Sequence, residues 1–571
     1  MSARAVQPSF AELYMPKLVT VLREGYDLAG LKADALAGLT VAIVALPLSM
    51  AIAIASGVGP ERGLYTAIAG GFVVSLLGGS RFQIGGPAGA FIVLVAATVA
   101  KHGPDGLLLA TFLSGLMLMA AGWLRLGTFV KFIPYPVTVG FTAGIGVIIF
   151  ASQIKDLLGL SLSGPEPGEL IPKLETLALA LPTVNGAAVG IALVSIAIII
   201  ACKLWRPHWP GFLIAVAVTA LLAWALHLPV ETIGSRFGGI PRALPAPHLP
   251  DLSPARIAAL LPAALSFTLL GAIESLLSAV VADSMSGGRH RSNCELVAQG
   301  AANMTSALFG GICVTGTIAR TATNVRSGAR GPVSGMLHAL FLLGFILIAA
   351  PLASYIPLAG LAGLLATVCW NMIERNEIAA LFRASRGAAL VLVVTFLVVI
   401  FRDLSLGILV GFALGALVIL HRLAQSVEIE SGAPLIEGDR ADSDNGRPAI
   451  GADIASDPDI AFCRISGAFF FGSAGIVGAT LDRLGEHPRA YVVDLSGVAM
   501  LDSTGAATIE GFLRKIERRG ARLYISGALP AVRRVLFAHG VKPPHARYRA
   551  TPQEALDAAR EAIGAAGESV H

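Results

Sequence analysis

The chain has 571 residues, of which 55% are hydrophobic and 14% charged, with a mean hydropathy of +0.74. An ordinary soluble protein carries about 25% charged residues, so most of this chain is expected to lie in lipid. The net charge of +5 is small and its Lys and Arg residues are scattered, which argues against a nucleic-acid partner, and five distant cysteines without a CxxC motif argue against disulfides and zinc.

Residues 1–30 mix polar and apolar residues and lack the uninterrupted apolar core of a signal peptide. They suit either a helix at the membrane surface or a disordered segment, and we expect them in the cytoplasm. Residues 31–424 then form a transmembrane domain of about fourteen spans. The apolar runs lie near 35–57, 64–78, 88–100, 106–124, 133–153, 186–203, 210–227, 255–283, 296–310, 317–325, 332–351, 354–372, 387–402 and 404–421.

The short loops on one side of these spans hold most of the Lys and Arg residues. Positive charge is enriched in cytoplasmic loops, so the sequence predicts that this side is cytoplasmic. An even number of spans places both termini, and the region after residue 424, on that same side.

Two apolar runs, 88–100 and 317–325, are too short to cross a bilayer about 30 Å thick. Each is the third span of a seven-span half, and each follows a Gly-rich stretch. Paired interrupted spans indicate a transporter built from inverted repeats, with its site near the membrane midplane. The alternative is a pair of ordinary helices kinked by glycine and proline.

If both short spans are half-helices, their N-termini offer partial positive charge and unpaired N–H groups to an anion. Small residues at these starts would permit close approach, and Arg320 would add a full charge. An intramembrane Arg is usually functional, although an interfacial Arg or a structural ion pair is the alternative. The candidate anion-binding residues are Ala88, Gly89, Ala90, Gly316, Thr317, Ile318, Ala319 and Arg320.

Glu274 is a carboxylate in the middle of the apolar stretch GAIESLLSAVVAD. Such a group costs about 2.5–3.5 kcal/mol at the centre of a membrane helix, and it can hold a proton there. Protonation would remove a negative charge facing an incoming anion, which is a physical basis for proton–anion symport. Ser278, four residues on, could form a hydrogen bond with Glu274. The alternative is a structural ion pair between Glu274 and Arg320, while Asp283 is expected to be structural.

An acidic linker, 425–457, and a soluble domain, 458–571, complete the chain. The soluble domain alternates strands (461–471, 490–497 and 522–527) with helices (475–485, from 503, and 531–540), so we expect an α/β fold. Ser503 would begin the second helix as its N-cap, and the same geometry would suit an anion or a phosphate.

Several segments resemble the sulfate permease (SulP) family: LPLSMAIAIASGVGPERGLYTA, GGPAGAF, GAIESLLSAVVADSM, SNCELVAQGAANM and TGTIARTATNVRSGAR. The stretch VDLSGVAMLDSTG resembles the STAS domain that follows the membrane part in this family. GLYTA, SRFQIGGP, GFTAGIG, QIKDLLGL and GAIESLL look most like its bacterial C4-dicarboxylate branch, which implies the bacterial inner membrane.

The resemblance implies a seven-plus-seven inverted repeat divided into core and gate domains, a homodimer, and an elevator-like movement of the core. The substrate would lie between the half-helices, with Glu274 and Ser278 at the proton-coupling position and Ser503 at the STAS position that is phosphorylated in soluble anti-sigma-factor antagonists. The implied substrate-contacting residues are Leu48, Ile52, Ala88, Gly89, Ala90, Phe91, Thr317, Ile318, Ala319 and Arg320.

The chain departs from its relatives at Leu48, where many carry Gln, and at Ile52, where many carry Phe. This puts specificity for inorganic anions in doubt. Sodium-coupled bicarbonate members have Asp and Thr where this chain has Glu274 and Ser278, which favours protons over sodium.

The leading function is therefore proton-coupled symport of C4-dicarboxylates (succinate, fumarate or aspartate), followed by sulfate and then bicarbonate. An uncoupled anion exchanger or channel is an alternative. A signalling protein that senses an anion and binds a cytoplasmic partner through its STAS domain is another. We expect no enzymatic activity, no cofactor and no metal, since His102, His208 and His290 lack ligand spacing.

Overall fold

The computed structural model describes residues 10–128, 134–164, 166–167, 169–206, 209–402, 404–431, 459–484 and 488–568. The chain forms two compact units, Met1–Gly415 and Ala416–His571. The boundary between the units falls inside a helix, Leu404–Gln425. Most of the predicted acidic linker, residues 432–457, lies outside the described residues.

The first unit is a helical membrane bundle, as expected, and it contains one short two-stranded ribbon, β1 (Gly85–Gly86) and β2 (Thr315–Gly316). By length and composition, seven helical stretches of the described residues could cross a bilayer; one of them, Gly89–Trp123, contains a break at Gly103, and another, Leu406–Gln425, crosses the boundary between the units. The helices are α1 (Phe10–Tyr14), α2 (Lys17–Arg23), α3 (Leu28–Ala55), α4 (Pro60–Tyr65), α5 (Gly71–Leu77), α6 (Ile92–Trp123), α7 (Tyr135–Leu158), α8 (Leu170–Ala180), α9 (Gly186–Trp205), α10 (Gly211–Ala225), α11 (Ile233–Phe237), α12 (Pro254–Ser286), α13 (Ser292–Leu308), α14 (Ile318–Arg326), α15 (Val333–Ala353), α16 (Leu358–Met372), α17 (Arg375–Ala384), α18 (Arg386–Phe401) and α19 (Leu404–Gln425).

Short irregular segments interrupt these helices where the sequence is rich in glycine. A π-helical turn, Thr66–Gly70, joins α4 to α5 into one span, and a 3₁₀ turn, Gly89–Phe91, leads into α6. Within α6, Gly103 has φ 72° and ψ 178°, and Pro104 follows it. The left-handed φ at Gly103 breaks α6 into two helices, so the first predicted half-helix ends there. The second, α14, has nine residues and is about 14 Å long, less than half of a bilayer core.

Equivalent helices of the two halves make equivalent contacts. The first span, α3, packs against α15, while its counterpart α12 packs against the second part of α6. Likewise α7 packs against α18, while its counterpart α16 packs against α9. This exchange of partners is what a seven-plus-seven inverted repeat produces. These contacts divide the helices into two bundles. The core bundle contains α3, α4–α6 and α12–α15, and the gate bundle contains α7, α9, α10, α16 and α18.

The second unit contains a five-stranded sheet flanked by helices, so the predicted α/β fold is confirmed. The strands lie in the sheet in chain order, β3 (Glu428–Ser431), β4 (Ile460–Phe469), β5 (Ala490–Leu501), β6 (Arg522–Ser526) and β7 (Ala546–Arg549), with β3 antiparallel to β4 and the other neighbours parallel. Two strands and the last helix were not predicted, and the first helix begins four residues before its expected start at 475. The helices of this unit are α20 (Phe471–Asp482), α21 (Ser503–Glu517), α22 (Pro530–Ala538) and α23 (Pro552–Glu568).

The N-cap of α21 is Asp502, and the expectation of a Ser503 cap was wrong. The Asp502 carboxylate accepts hydrogen bonds from the backbone N–H groups of Gly505 (2.8 Å) and Phe471 (3.0 Å). It therefore caps α21 and also holds the start of α20. Ser503 is the first residue of the helix and is exposed.

We expect Asp502→Ala to destabilise the second unit by about 1–2 kcal/mol, because two backbone donors lose their acceptor. Ser503→Ala, the matched control one residue later, should leave stability within about 0.5 kcal/mol of the wild type. Thermal unfolding of the full chain, followed by a probe in the second unit, measures both. Equal effects of the two substitutions would contradict the assignment of the cap.

Candidate functional site

A two-stranded ribbon deep in the core bundle brings the two half-helices together. Strand β1 (Gly85–Gly86) pairs antiparallel with β2 (Thr315–Gly316), and both are buried. Each half-helix begins within three residues of its strand. Since the strands run antiparallel, the helices leave the ribbon in opposite directions. Their N-termini therefore lie together beside the ribbon, in a region that we call the crossing.

The first turns of both half-helices leave backbone N–H groups without a helical partner. Ala88 and Thr317 occupy the N-cap positions in extended conformation, and neither side chain caps its helix. The Thr317 hydroxyl instead donates to the carbonyl of Ile84 (3.3 Å). Gly89 is half-buried, and Ile318 and Ala319 are exposed. The crossing therefore presents accessible N–H groups and the positive ends of two helix dipoles.

Arg320 is 1% exposed and lies beside the ribbon. Its Nη2 donates to the hydroxyl of Ser49 (3.1 Å) and the carbonyl of Pro87 (3.3 Å). Among the described residues, Nε and Nη1 have no hydrogen-bond partner, and no carboxylate forms an ion pair with this guanidinium. A Cβ at Gly86 would collide with Nη1, so a larger residue there would displace the end of the Arg320 side chain. The result is a buried cation with free donors next to two helix N-termini.

Glu274 lies in the middle of α12 and is buried. The Thr315 hydroxyl donates to the carbonyl of Gly271 (3.2 Å), one helical turn before Glu274, and thereby ties the ribbon to this part of α12. No described side chain within bonding distance donates to the Glu274 carboxylate, and it makes no ion pair with Arg320. The structural ion pair considered for these two residues is therefore not formed.

Ser278 does not bond to Glu274, contrary to our expectation. Its hydroxyl donates to Thr321 Oγ1 (3.1 Å), which in turn accepts the backbone N–H of Ile84 (3.1 Å). Ser278 and Thr321 therefore fasten the second half-helix to α12 and to the start of the ribbon. Asp283 is structural, as predicted, because it accepts hydrogen bonds from the backbone and ring of His290 (2.9 and 2.7 Å).

Leu48, Ile52 and Phe91 are buried in the apolar interior of the core bundle. Phe91 packs edge-on against Phe267 of α12, with ring centroids 6.0 Å apart. These side chains give the neighbourhood of the ribbon an apolar wall. Their contact with a substrate stays a prediction.

Ser49, His338 and Glu295 belong to this region but were missed in the sequence. Ser49 follows Leu48 and orients Arg320. His338 of α15 is completely buried, and neither ring nitrogen has a partner among the described residues. For His338 the available signal was a single titratable residue within an apolar span, whereas Glu295 stands just before a predicted span, beside Ser292 and Asn293, and had no such signal.

Glu295 is a second buried carboxylate, but its environment is the opposite of that of Glu274. It lies in the first turn of α13 and is completely buried. Five donors surround it and hold the loop before the ribbon: the N–H groups of Gly79 (2.9 Å) and Ser80 (3.0 Å), the amides of Gln83 (2.9 Å) and Gln299 (2.9 Å), and the hydroxyl of Ser275 (3.5 Å).

We expect Glu295→Gln to destabilise the membrane unit by about 3 kcal/mol. One carboxylate oxygen accepts from the N–H groups of Gly79 and Ser80, and the other from Gln83, Gln299 and Ser275. The NH₂ group of glutamine replaces one of these oxygens and therefore faces donors, and hydrogen bonds to a charged acceptor are worth about 1.5–3 kcal/mol each. The unfolding temperature in detergent measures the effect, with Glu175→Gln at an exposed position of α8 as the control. A decrease no larger than in the control would show that Glu295 does not hold this loop.

The sequence matches two families of known proteins. Residues 31–395 match the sulfate permease family, and residues 452–555 match the STAS domain. The chain is 38% identical to YvdB of Bacillus subtilis, named as a candidate sulfate transporter, over 91% of this chain and 95% of that protein. It is 30% identical to the bicarbonate transporter BicA of a Picosynechococcus species, over 89% and 90%.

The fold is also known from a solved structure. The structure of the murine anion transporter Slc26a9 in the inward-facing state superimposes with a TM-score of 0.85, covering 98% of this chain and 96% of that one. Because the two sequences are only 18% identical, this likeness concerns the fold alone.

Proposed function

The chain belongs to the sulfate permease family of anion transporters, and we propose that it is a symporter that moves C4-dicarboxylates together with protons. One observation carries the proposal. Arg320 is a buried guanidinium with two unpaired nitrogen atoms, and it stands beside two half-helix N-termini. Leaving a charge unpaired inside a protein costs several kcal/mol, and a bound anion would compensate it.

In this proposal the substrate carboxylates bind the N–H groups after Ala88 and Thr317 and the guanidinium of Arg320. Gly89, Ala90, Ile318 and Ala319 allow the close approach. The apolar side chains of Leu48, Ile52 and Phe91 suit the hydrocarbon middle of a dicarboxylate, which sulfate and bicarbonate lack. Sulfate is the second candidate because of the name of the Bacillus relative, and bicarbonate the third.

Glu274 is the proposed proton carrier. A carboxyl group without donors or a cationic partner can take up a proton, and protonation would reduce its repulsion of an arriving anion. Ser278 would contribute by holding the second half-helix against α12 rather than by binding the proton.

All of the proposed substrate residues belong to the core bundle. A movement of this bundle against the gate bundle would therefore carry the substrate with it, which supports an elevator mechanism. We further propose a homodimer in the bacterial inner membrane with both termini cytoplasmic, a membrane domain of residues 31–424, and a STAS domain of residues 458–571. Ser503 is exposed at a helix start and is a proposed regulatory position through which a cytoplasmic partner could act.

Uptake into proteoliposomes tests the proposal. Labelled succinate, sulfate and bicarbonate are each offered with and without an inward proton gradient, and with and without sodium. We expect the gradient to drive accumulation of succinate above its outside concentration, and sodium to have no effect. Sodium-dependent uptake would refute proton coupling, and accumulation of sulfate alone would refute C4-dicarboxylates as the substrates. Equilibration without accumulation would indicate a channel or an uncoupled exchanger.

A further inference from the structure

A groove of 500 Å³ runs along the boundary between the core bundle and the gate bundle. Helix α10 of the gate bundle forms one side of the groove, and α3 and α15 of the core bundle form the other. None of its lining residues belongs to the ribbon or to a half-helix, so the groove is separate from the crossing. A volume between about 300 and 1,000 Å³ is typical of sites for small molecules.

The α10 side of the groove is one continuous face of the helix. Its residues recur three and four positions apart, which places them on the same side of α10. From Leu213 to Trp224 this face extends about 16 Å, at about 1.5 Å per residue. One leaflet of a hydrocarbon core about 30 Å thick measures about 15 Å, so the groove is as long as one leaflet is thick. The face consists of Leu213, Val216, Ala217, Ala220, Leu221 and Trp224.

The core-bundle side of the groove is apolar. Helix α3 contributes Leu46, Pro47 and Met50, and α15 contributes Phe345 and Leu352. None of the described lining residues is charged, and a polar solute would lose its hydrogen bonds to water without replacing them. The groove is therefore unsuited to the transported anion and suited to hydrocarbon.

Polar groups occur at one end of the groove. Trp224 lies in the last turn of α10, Tyr355 follows the end of α15, and both side chains are exposed. Since both helices end here, this end lies near the membrane surface, where Trp and Tyr are enriched. The indole N–H and the phenol hydroxyl can bond to polar groups of a lipid, while the rings contact its hydrocarbon.

We infer that this groove holds one fatty acyl chain of a membrane phospholipid. The length of one leaflet, the apolar walls and the aromatic pair at the surface end all match such a chain. Lipid surrounds these helices, and walls left without neighbouring atoms would lose their dispersion contacts. A chain seated between two helical walls gains these contacts on both sides, so it should exchange more slowly than lipid on the outer surface.

The position of the groove gives the bound chain a role in transport. Its walls belong to both bundles, so the proposed movement of the core bundle would change its shape. A chain that fits one arrangement better than the other shifts the equilibrium between them. This consequence rests on the proposed elevator mechanism, whereas binding of the chain does not.

Photolabelling of the full chain in nanodiscs tests the inference. The probe is phosphatidylcholine with a diazirine within one palmitoyl chain, and mass spectrometry locates the labelled residues. We expect Leu213 and Phe345, which are half-buried, to be labelled at least fivefold more than Leu193 on the exposed face of α9. The wild type should also retain one phospholipid per chain after removal of the other lipid in detergent.

Variants that fill the groove supply the control. Ala220→Trp and Ala217→Phe each place a large side chain in the open space and should keep the unfolding temperature of the wild type in detergent. Each should lower labelling of Phe345 at least fivefold and abolish retention of the phospholipid. Ala197→Trp, on the exposed face of α9, should leave both within twofold of the wild type.

The remaining outcomes are equally decisive. Equal labelling of α9 and the groove, or unchanged labelling in both filled variants, would mean ordinary surrounding lipid and overturn the inference. Crosslinks between two copies of the chain at the groove, in place of lipid labelling, would assign it to a protein interface. Arg320→Met should leave labelling intact, so a failure of the proposed transport function would not be mistaken for a failure of this site.

Discussion

Replacement of Arg320 by methionine is expected to weaken substrate binding about 100-fold and to leave the substrate-free protein at least as stable as the wild type. The loss of affinity follows because charge-assisted hydrogen bonds to a buried anion contribute about 1.5–3 kcal/mol each. Methionine preserves the approximate volume and the apolar stem. Binding of labelled succinate and the unfolding temperature without substrate measure the two parts of the prediction.

The substrate-free variant should not be less stable than the wild type, because burying the unpaired charge costs more than the lost hydrogen bonds contribute. Arg320→Met removes the hydrogen bonds to Ser49 (3.1 Å) and Pro87 (3.3 Å), which are long and therefore worth about 1.5 kcal/mol each, the lower end for a charged donor. It also removes a buried charge without an ionic partner, whose burial costs several kcal/mol. The substitution should therefore not destabilise the protein, while a residue kept for packing would.

Arg326→Met is the matched control. Arg326 lies in the last turn of the same half-helix and is exposed, so its replacement should change neither affinity nor stability appreciably. A large drop in the unfolding temperature of the Arg320 variant, with the Arg326 variant unchanged, would mean that Arg320 is structural. Unchanged substrate affinity in the Arg320 variant would rule out the proposed anion site.

The half-helices could be predicted from the sequence because their cause is local. Gly103 and Pro104 end the first one, and the length of the apolar run limits the second. Arg320 and Glu274 were also predictable, since an ionisable residue within an apolar span is rare. The position of each candidate in the chain was thus evident, but its partners were not.

Partners distant in the chain were missed because spacing along a helix does not reveal them. Ser49 and Arg320 are 271 positions apart, and Gln83 and Glu295 are 212 apart. The expected contact between Glu274 and Ser278 was inferred from their four-residue spacing. It fails because Thr321, from another helix, offers Ser278 an acceptor.

In the second unit, short or polar elements escaped prediction, one of them within the predicted linker. The strands Glu428–Ser431 and Ala546–Arg549 have four residues each, and the second contains two arginines. Neither shows an apolar run, and their pairing with β4 and β6 defines them as strands. At Asp502 and Ser503, two adjacent residues could both cap a helix, and the choice depends on the backbone conformation of Asp502.

Replacement of Glu274 by glutamine should abolish accumulation driven by a proton gradient and preserve exchange of substrate across the membrane. Glutamine keeps the size and polarity of the side chain but cannot take up a proton. A gradient of one pH unit supplies about 1.4 kcal/mol per proton, enough for about tenfold accumulation if one proton accompanies each substrate. We therefore expect about tenfold accumulation in the wild type and none in the variant.

Protonation of Glu274 also predicts how the affinity for substrate depends on pH. If protonation of Glu274 removes repulsion, wild-type affinity for a substrate of constant charge, such as sulfate, rises as the pH falls. In Glu274→Gln this dependence on pH should disappear, with affinity fixed near its acidic value. Glu175→Gln, the same change at an exposed position, should retain both accumulation and pH dependence. Full accumulation by the Glu274 variant would show that another group carries the proton, because glutamine cannot take one up.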